Sequence, residues 1–301
     1  MGLITNQHYP KKYGKIVKIG GFGVKFMKWH GLGNDFIIID CRHEDNFITD
    51  KTAIAMCDRH TGIGADGLVQ VLPAKTETAA AEMRIYNADG TIAEMCGNAL
   101  RCVALMLAED SGRMEPLQID TAVGTLKTVF SFDPNQSSTL ITVNMGVPGL
   151  RRSDIGIDED GDQLAENIIL EVAGKPLIFT GVSMGNPHVV TFLSDVECIS
   201  LECWGAEVEM MPVFTRQTNV EFVEVGPEGL RMRVWERGVG VTKACGTGAC
   251  AAMVAAVQNG FIQNQAEVIL DGGSLWIEWN GEDTPVYMTG TAVHVYNGVV
   301  E

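Results

Sequence analysis

Two short runs set the pattern of the chain. "MRIY" from Met83 and "MRVW" from Met232 alternate apolar with other residues, as half-buried strands do. Each is followed by a glycine-containing loop and then by a stretch of small and apolar residues that predicts a helix. The first helix is expected from Asn98 to about Ala108, the second from Thr247 to about Asn259. Asn98 and Thr247 are residue types that cap helix starts, and Gly260 is the type that ends one. Beyond each helix, "LQIDTAVGTLKTVF" and "AEVILDGGSLWIEW" predict hairpins with glycine in the turn. Strands, one helix, then more strands is the order of a mainly β, α+β unit rather than of repeated βαβ units.

The recurrence is a duplication. Sliding the chain by 149 positions lays Met83 on Met232, Arg84 on Arg233, Cys96 on Cys245 and Gly97 on Gly246, with no gap. The same shift lays "VGTL" (Val123 to Leu126) on "GGSL" (Gly272 to Leu275). Upstream, Gly33-Asn34 and Gly185-Asn186 each precede an apolar run, 152 positions apart. The identities are few, but they fall at strand, loop, helix start and next strand in the same order, which is what a repeated fold leaves behind. The expected organisation is an N-terminal extension over 1–24, a first half over 25–146 and a second half over 147–289. The segment 290–301 follows the second half.

Composition narrows the function. With 22 basic and 38 acidic residues the net charge is −16, a field that repels phosphate backbones and anionic lipid. Neither nucleic acid nor a membrane surface is an expected partner. No run approaches the roughly 18 apolar residues of a membrane span. The first residues lack the apolar core of a secretory signal, so the expected location is the cytoplasm. Eight cysteines without C-x-x-C spacing point to free thiols rather than a disulfide framework or a zinc site. Six of them (41, 57, 102, 198, 203 and 250) read as small buried hydrophobes.

Cys96 and Cys245 are different, because each stands immediately ahead of a predicted helix. The free N–H groups and partial positive charge there favour an anion, so the expectation is a lowered thiol pKa. If the halves face each other, two such thiols meet across a cleft. One can take a proton from one face of a carbon and the other can return a proton to the opposite face. That is the requirement for inverting a stereocentre, and no pyridoxal lysine or metal cluster is evident, so no cofactor and no metal is expected. Other readings of the residues stay open: two inert buried cysteines, a disulfide between Cys96 and Cys245, or a phosphate loop. The last is weakened because no G-K-[ST] follows the glycines.

The motifs resemble those of the diaminopimelate epimerase family, in order along nearly the whole chain from Lys25 to beyond Val295. They are "HGLGNDFIIID", "NADG…MCGN…RC", "GNPHVV", "TNVEF", "WERGVGVTKACGTGACA" and "MTGTAVHVYNG". The resemblance implies two pseudo-symmetric domains, each a mainly antiparallel β-sheet wrapped around a central helix, with the active site in the cleft between them and the segment 290–301 returning to the first. It implies cofactor-independent conversion of LL- to meso-diaminopimelate in lysine and peptidoglycan-precursor synthesis, by a homodimer. Cys245 and Cys96 would be the acid/base pair, with His188 and Glu236 tuning them. Gly97, Asn98, Gly246 and Thr247 would hold the reacting carboxylate, and Asn34 would meet the reacting end. Asn87, Asn186, Asn219, Glu236 and Arg237 would bind the substrate, with Arg237 pairing its distal carboxylate.

Two positions depart from the pattern: Gly67, where some members have glutamine, and Ala99, where glycine is usual. The rival activities are a proline or hydroxyproline racemase and a silent amino-acid-binding protein. Proline-type enzymes carry His after the first Cys-Gly, where this chain has Asn98. Residue by residue, the bland alternatives are turn chemistry for each asparagine, a structural role for His188 and a surface ion pair for Glu236 with Arg237.

Overall fold

The computed structural model describes residues 23–43, 48–93, 95–134 and 137–300. Of the expected extension, residues 1–22 lie outside the described residues. The first half runs β1 (Val24–Gly31), β2 (Asn34–Asp40), α1 (Asp50–Cys57), β3 (Gly67–Leu72), β4 (Ala81–Asn87), α2 (Gly97–Ser111), β5 (Leu117–Thr121), β6 (Gly124–Asp133) and β7 (Ser138–Asn144). The second opens with β8 (Ile168–Val172), β9 (Lys175–Ser183), β10 (Pro187–Phe192), α3 (Leu201–Glu209), β11 (Asn219–Gly226), β12 (Gly229–Glu236) and β13 (Gly240–Val241). It continues with α4 (Gly246–Gln258), β14 (Gln265–Leu270), β15 (Gly273–Glu278) and β16 (Tyr287–Thr291), before a last strand, β17 (Val293–Val300).

The strand registers carry the duplication residue for residue. Ala81 pairs with Ile119 as Leu230 pairs with Val268, and Leu117 with Thr128 as Ala266 with Ile277. Even the isolated bridge of Tyr86 to Ile92 returns as Trp235 to Val241. Each of these is a shift of 149 on both strands. The parallel pair β2–β3 aligns Phe36 with Gly67, and β10–β11 aligns His188 with Asn219, a shift of 152 on both. Gly124 and Gly273 both hold φ above +100° in the matching hairpin turns, where a side chain would be strained.

Most pairings are antiparallel, with parallel pairs at β2–β3, β4–β5, β10–β11 and β12–β14. The parallel pairs β2–β3 and β10–β11 need crossovers, and these are the short helices α1 and α3, which the periodicity does not disclose. At eight and nine residues they are too short to show a strong apolar stripe. The long helices are buried on every side: all positions from Gly97 to Ala108 in α2 and from Gly246 to Ala256 in α4. A helix apolar all round belongs in the centre of a fold. The alanines of α4 (249, 251, 252, 255 and 256) let the sheet close tightly around it. One continuous core joins both central helices, while smaller cores lie beneath α1 and α3.

Strand β7 pairs antiparallel with β16, and the Thr142 and Thr289 hydroxyls meet at 2.7 Å. Each is the third strand of its half's meander, so near-equivalent residues face each other, as a local twofold axis demands. After β16 the chain crosses back, and β17 pairs with β1 from Val24↔Val300 to His30↔Val293.

Candidate functional site

Both central helices begin on their cysteine. Cys96 and Cys245 are themselves the N-cap residues, with extended backbones (φ −148° and −114°), and Gly97 and Gly246 open the helices. Asn98 and Thr247, expected as caps, are instead the second residues of their helices. Their side chains are thereby released for other contacts: Asn98 reaches the opposite half, while Thr247 meets Asn186 and Cys245 of its own. Neither helix has an acidic residue in its first turn, so both N-termini keep their positive character for a ligand. Gly260 does follow the end of α4 with φ +72°.

The two helix starts converge. Asn98 donates through Nδ2 to the Ala244 carbonyl, the residue before Cys245, at 3.2 Å, and to Asn34 Oδ1 at 3.1 Å. Cys96 Sγ lies 3.8 Å from the same Asn34 oxygen. Met288 of β16 fills the space between: a Cβ on Gly97 would stand 2.4 Å from its methyl, and one on Gly246 3.1 Å from its sulfur. Glycine at both positions therefore leaves Met288 undisturbed where it lies. Behind Asn98 lies Arg101, fully buried, donating to Asn98 Oδ1 at 2.9 Å and to the Thr291 carbonyl at 3.1 Å. Neither partner is charged. A guanidinium so placed costs several kcal/mol to bury, and it sends positive potential toward Cys96.

Cys245 has a different neighbourhood. Gly248 N–H donates to its sulfur at 3.3 Å, and Thr247 Oγ1 lies 3.5 Å away. From Thr247 the contacts continue to Asn186 Nδ2 (3.5 Å), from Asn186 Oδ1 to His188 Nε2 (3.0 Å), and from His188 Nδ1 to Glu221 Oε1 (2.7 Å). His188 and Glu221 are both wholly buried. Glu236 hydrogen-bonds to the Thr242 hydroxyl and to Cys245. Burial raises the Glu236 carboxyl above its ordinary range, opposed by Thr242 and by His188.

The expected lowering of the thiol pKa is reversed. Burial pushes Cys96 up to about 11, helped by the Glu236 carboxylate and against the pull of the Ala99 and Asn98 N–H groups and of Arg101. Cys245 is pushed well above the ordinary thiol value, first by burial and then by the Glu236 and Glu221 carboxylates. The helix N-termini act as anticipated, but in this closed arrangement desolvation outweighs them.

The remaining residues separate into two groups. Asn219, buried, accepts the Arg237 backbone N–H at 2.9 Å and donates to the Pro187 carbonyl at 2.7 Å, so it fixes the turn that carries Arg237. The Arg237 guanidinium bonds to the Arg216 carbonyl at 3.1 Å, while Glu236 turns toward Thr242 and Cys245, so the two are not the surface pair considered above. Asn87 is engaged with Thr91 in its own turn, at 2.9 Å, and among the described residues no hydrogen bond joins it to the cysteine cluster. At Gly67 a Cβ would come within 2.9 Å of the Tyr86 carbonyl, so a longer side chain there requires the backbone to shift. Ala99 is fully buried in α2.

Glu221, Arg101 and Met288 were not singled out from the sequence. Glu221 does leave a signal, one acid inside the apolar strand "NVEFV"; Arg101 and Met288 act only through contacts far along the chain. Of the six cysteines read as buried, four are. Cys198 and Cys203 are exposed, because one lies in the loop at Asp195 and the other on the outward side of α3.

Comparison with known proteins bears on what such a site does. The sequence profile described as diaminopimelate epimerase matches residues 26–150 and 180–295. The chain is 47% identical over 282 residues to the diaminopimelate epimerase of Microcystis aeruginosa (strain NIES-843 / IAM M-2473), covering 92% of this chain and 98% of that one. It is 44% identical over 281 residues to that of Halothermothrix orenii (strain H 168 / OCM 544 / DSM 9562), with coverages of 92% and 98%. Among solved structures, a hydroxyproline epimerase from Agrobacterium vitis with bound trans-4-OH-L-proline superimposes with TM-score 0.66 at 14% identity, covering 92% of this chain and 91% of that one. A probable proline racemase from Agrobacterium radiobacter K84 gives 0.68 at 11%, with coverages of 92% and 93%. At those identities the likeness is one of fold.

Proposed function

As the chain belongs to the diaminopimelate epimerase family, we propose that Cys96 and Cys245 are the acid/base pair with which it inverts one α-carbon of its substrate. The protein is an isomerase that epimerises diaminopimelate, a step of lysine biosynthesis. The observation that carries the two-thiol reading is the meeting of two helix N-termini, each capped by a cysteine and tied together through Asn98 and Ala244.

In the LL-to-meso direction the Cys245 thiolate removes the α-proton, and the electron pair left on carbon spreads into the α-carboxylate. The Cys96 thiol then delivers its proton to the opposite face, leaving a thiol on Cys245 and a thiolate on Cys96. The reverse reaction, or exchange with water, restores the first state. Free N–H groups at Gly97, Asn98, Gly246 and Thr247 suit the developing carboxylate charge, and the side chains of Asn34 and Asn98 suit the reacting amino-acid end. The substrate's ammonium supplies the positive charge that a buried thiolate lacks in the free protein. Arg237, oriented by Asn219, takes the distal carboxylate, with Asn186, Glu236 and Asn87 as further contacts.

The same reading includes a division into halves over 25–146 and 147–289, with 290–301 completing the first, which the pairing of β17 with β1 supports. It includes a cytoplasmic homodimer. No helix among the described residues is long and apolar enough to cross a membrane. β17 leaves Val293, Val295 and Tyr296 exposed, a surface suited to a second copy. Light scattering on the purified protein tests the dimer, and a monomer at micromolar concentration rejects it.

Proton NMR of LL-diaminopimelate with the reduced protein in deuterated water tests the reaction. Loss of the α-proton signal with appearance of the meso form is the expected result. Exchange of proline's α-proton instead would give the site to the racemases. Binding of diaminopimelate without exchange would make the protein a silent binder.

A further inference from the structure

The His188–Glu221 pair has no polar counterpart in the first half. The shift of 152 that relates β2–β3 to β10–β11 lays His188 on Phe36 and Glu221 on Val69. Phe36 and Val69 are buried and apolar. Backbone positions matched to the residue thus hold a hydrocarbon pair on the Cys96 side and an ionisable pair on the Cys245 side.

Glu221 touches the thiol's surroundings at two points. Through Oε1 it holds His188 Nδ1 at 2.7 Å, and His188 Nε2 then faces Asn186 Oδ1, so both ring nitrogens meet oxygen acceptors. That fixes the Asn186 amide with its nitrogen toward Thr247, whose hydroxyl lies against Cys245. The same Oε1 also borders Gly248: a Cβ there would stand 2.7 Å from it and 3.2 Å from Cys245 Sγ. Gly248 is the residue whose N–H donates to that sulfur. The other carboxylate oxygen, Oε2, is buried with no hydrogen-bond partner among the described residues, so the acid is retained at a cost in desolvation that a strand interior does not demand.

We propose that Glu221 is a positioning residue for Cys245, restraining that thiol through the His188–Asn186–Thr247 contacts and through its own carboxylate beside Gly248. Cys96 has no such pair behind it; its neighbour Asn34 is held instead by Asn98 and by the Asp66 carboxylate. The inference rests on the two-cysteine reading above and names what makes the two thiols unequal.

The test is Glu221→Gln, a substitution that keeps the shape and an oxygen for His188 but removes the charge. Without substrate, the reduced protein is treated with iodoacetamide and alkylation at each cysteine is followed by peptide mass spectrometry. Alkylation of Cys245 should rise at least fivefold over wild type, while that of Cys96 stays within twofold. Glu221→Val, which installs the residue found at position 69, should raise it further, and Glu221→Asp should bring it part of the way back. In turnover, kcat should fall about tenfold with KM within threefold, because the freed thiol is less well aligned. An unchanged or slower rate at Cys245 in folded Glu221→Gln overturns the proposal, and so does a parallel rise at both cysteines, which would report a loosened interior. The alkylation needs no turnover. If wild type leaves the α-proton of diaminopimelate in place, the functional reading fails, while the alkylation rates still decide the role of Glu221.

Discussion

The two halves agree in backbone and disagree in charge. Behind Cys96 stand Phe36, Val69 and the buried cation Arg101; behind Cys245 stand His188 and Glu221, and Glu236 acts on both thiols. Registers shifted by 149 and 152 match between them, yet burial with one carboxylate and an opposing cation holds one thiol at about 11, and burial with two carboxylates lifts the other well beyond its ordinary value. Duplication supplies what two-sided proton transfer needs geometrically, a thiol at a helix start on either side. It does not supply equal thiols. A reaction whose two directions begin from different substrates has no use for identical acid and base, so divergence concentrated one layer behind the cysteines is where it does least harm to the geometry.

The largest effect should come from removing either thiol. Cys96→Ala and Cys245→Ala are each expected to lower epimerisation by about 10⁴-fold or more, in line with loss of an essential general acid or base. Near-normal turnover in one of them, followed by NMR, would break the comparison by showing that a single half suffices. Next in size is Arg237→Ala. Loss of a charge-assisted contact should reduce kcat/KM for diaminopimelate about 100-fold, while a substrate without a distal carboxylate is hardly affected; equal losses on both would take the distal role from the second half.

The smallest effect sharpens the comparison instead of breaking it. A thiol whose folded pKa is raised stays protonated until higher pH, so its reactivity is low near neutrality and climbs as pH rises. Alkylation of Cys96 should increase about tenfold per unit between pH 7 and 10 and level off near 11. Cys245 should lag behind it at every pH. A plateau for either thiol near the ordinary value of about 8.5 would mean that it is solvated in the free protein.

Much of this was legible along the chain, because it depends on local order. The strand–loop–helix–hairpin repeat, the cysteine at each helix start and the turn glycines at 124 and 273 all lie in short windows. What escaped was set by distant partners. Asn98 and Thr247 look like caps, but the cysteines take that place; the Asn98 side chain crosses to the other half and that of Thr247 meets Asn186. The lowered thiol pKa followed from the helix terminus alone, and only the packed interior supplies the opposing desolvation. Arg101 reads as an ordinary helix residue until Thr291, 190 positions away, is seen to hold it. The short crossovers α1 and α3 were hidden for a plainer reason, that eight or nine residues give period-3.6 patterning little room.

The return of β17 to β1 also orders events in time. Val24 finds its partner in Val300, so the first half cannot complete its sheet until β17 has been made. The second half has all its own strands earlier, within one unbroken stretch. On a ribosome, then, the half that is synthesised first is the half that finishes last. Its outer strand β1 waits unpaired on that side, and closing it requires a loop that takes in the whole of the second half.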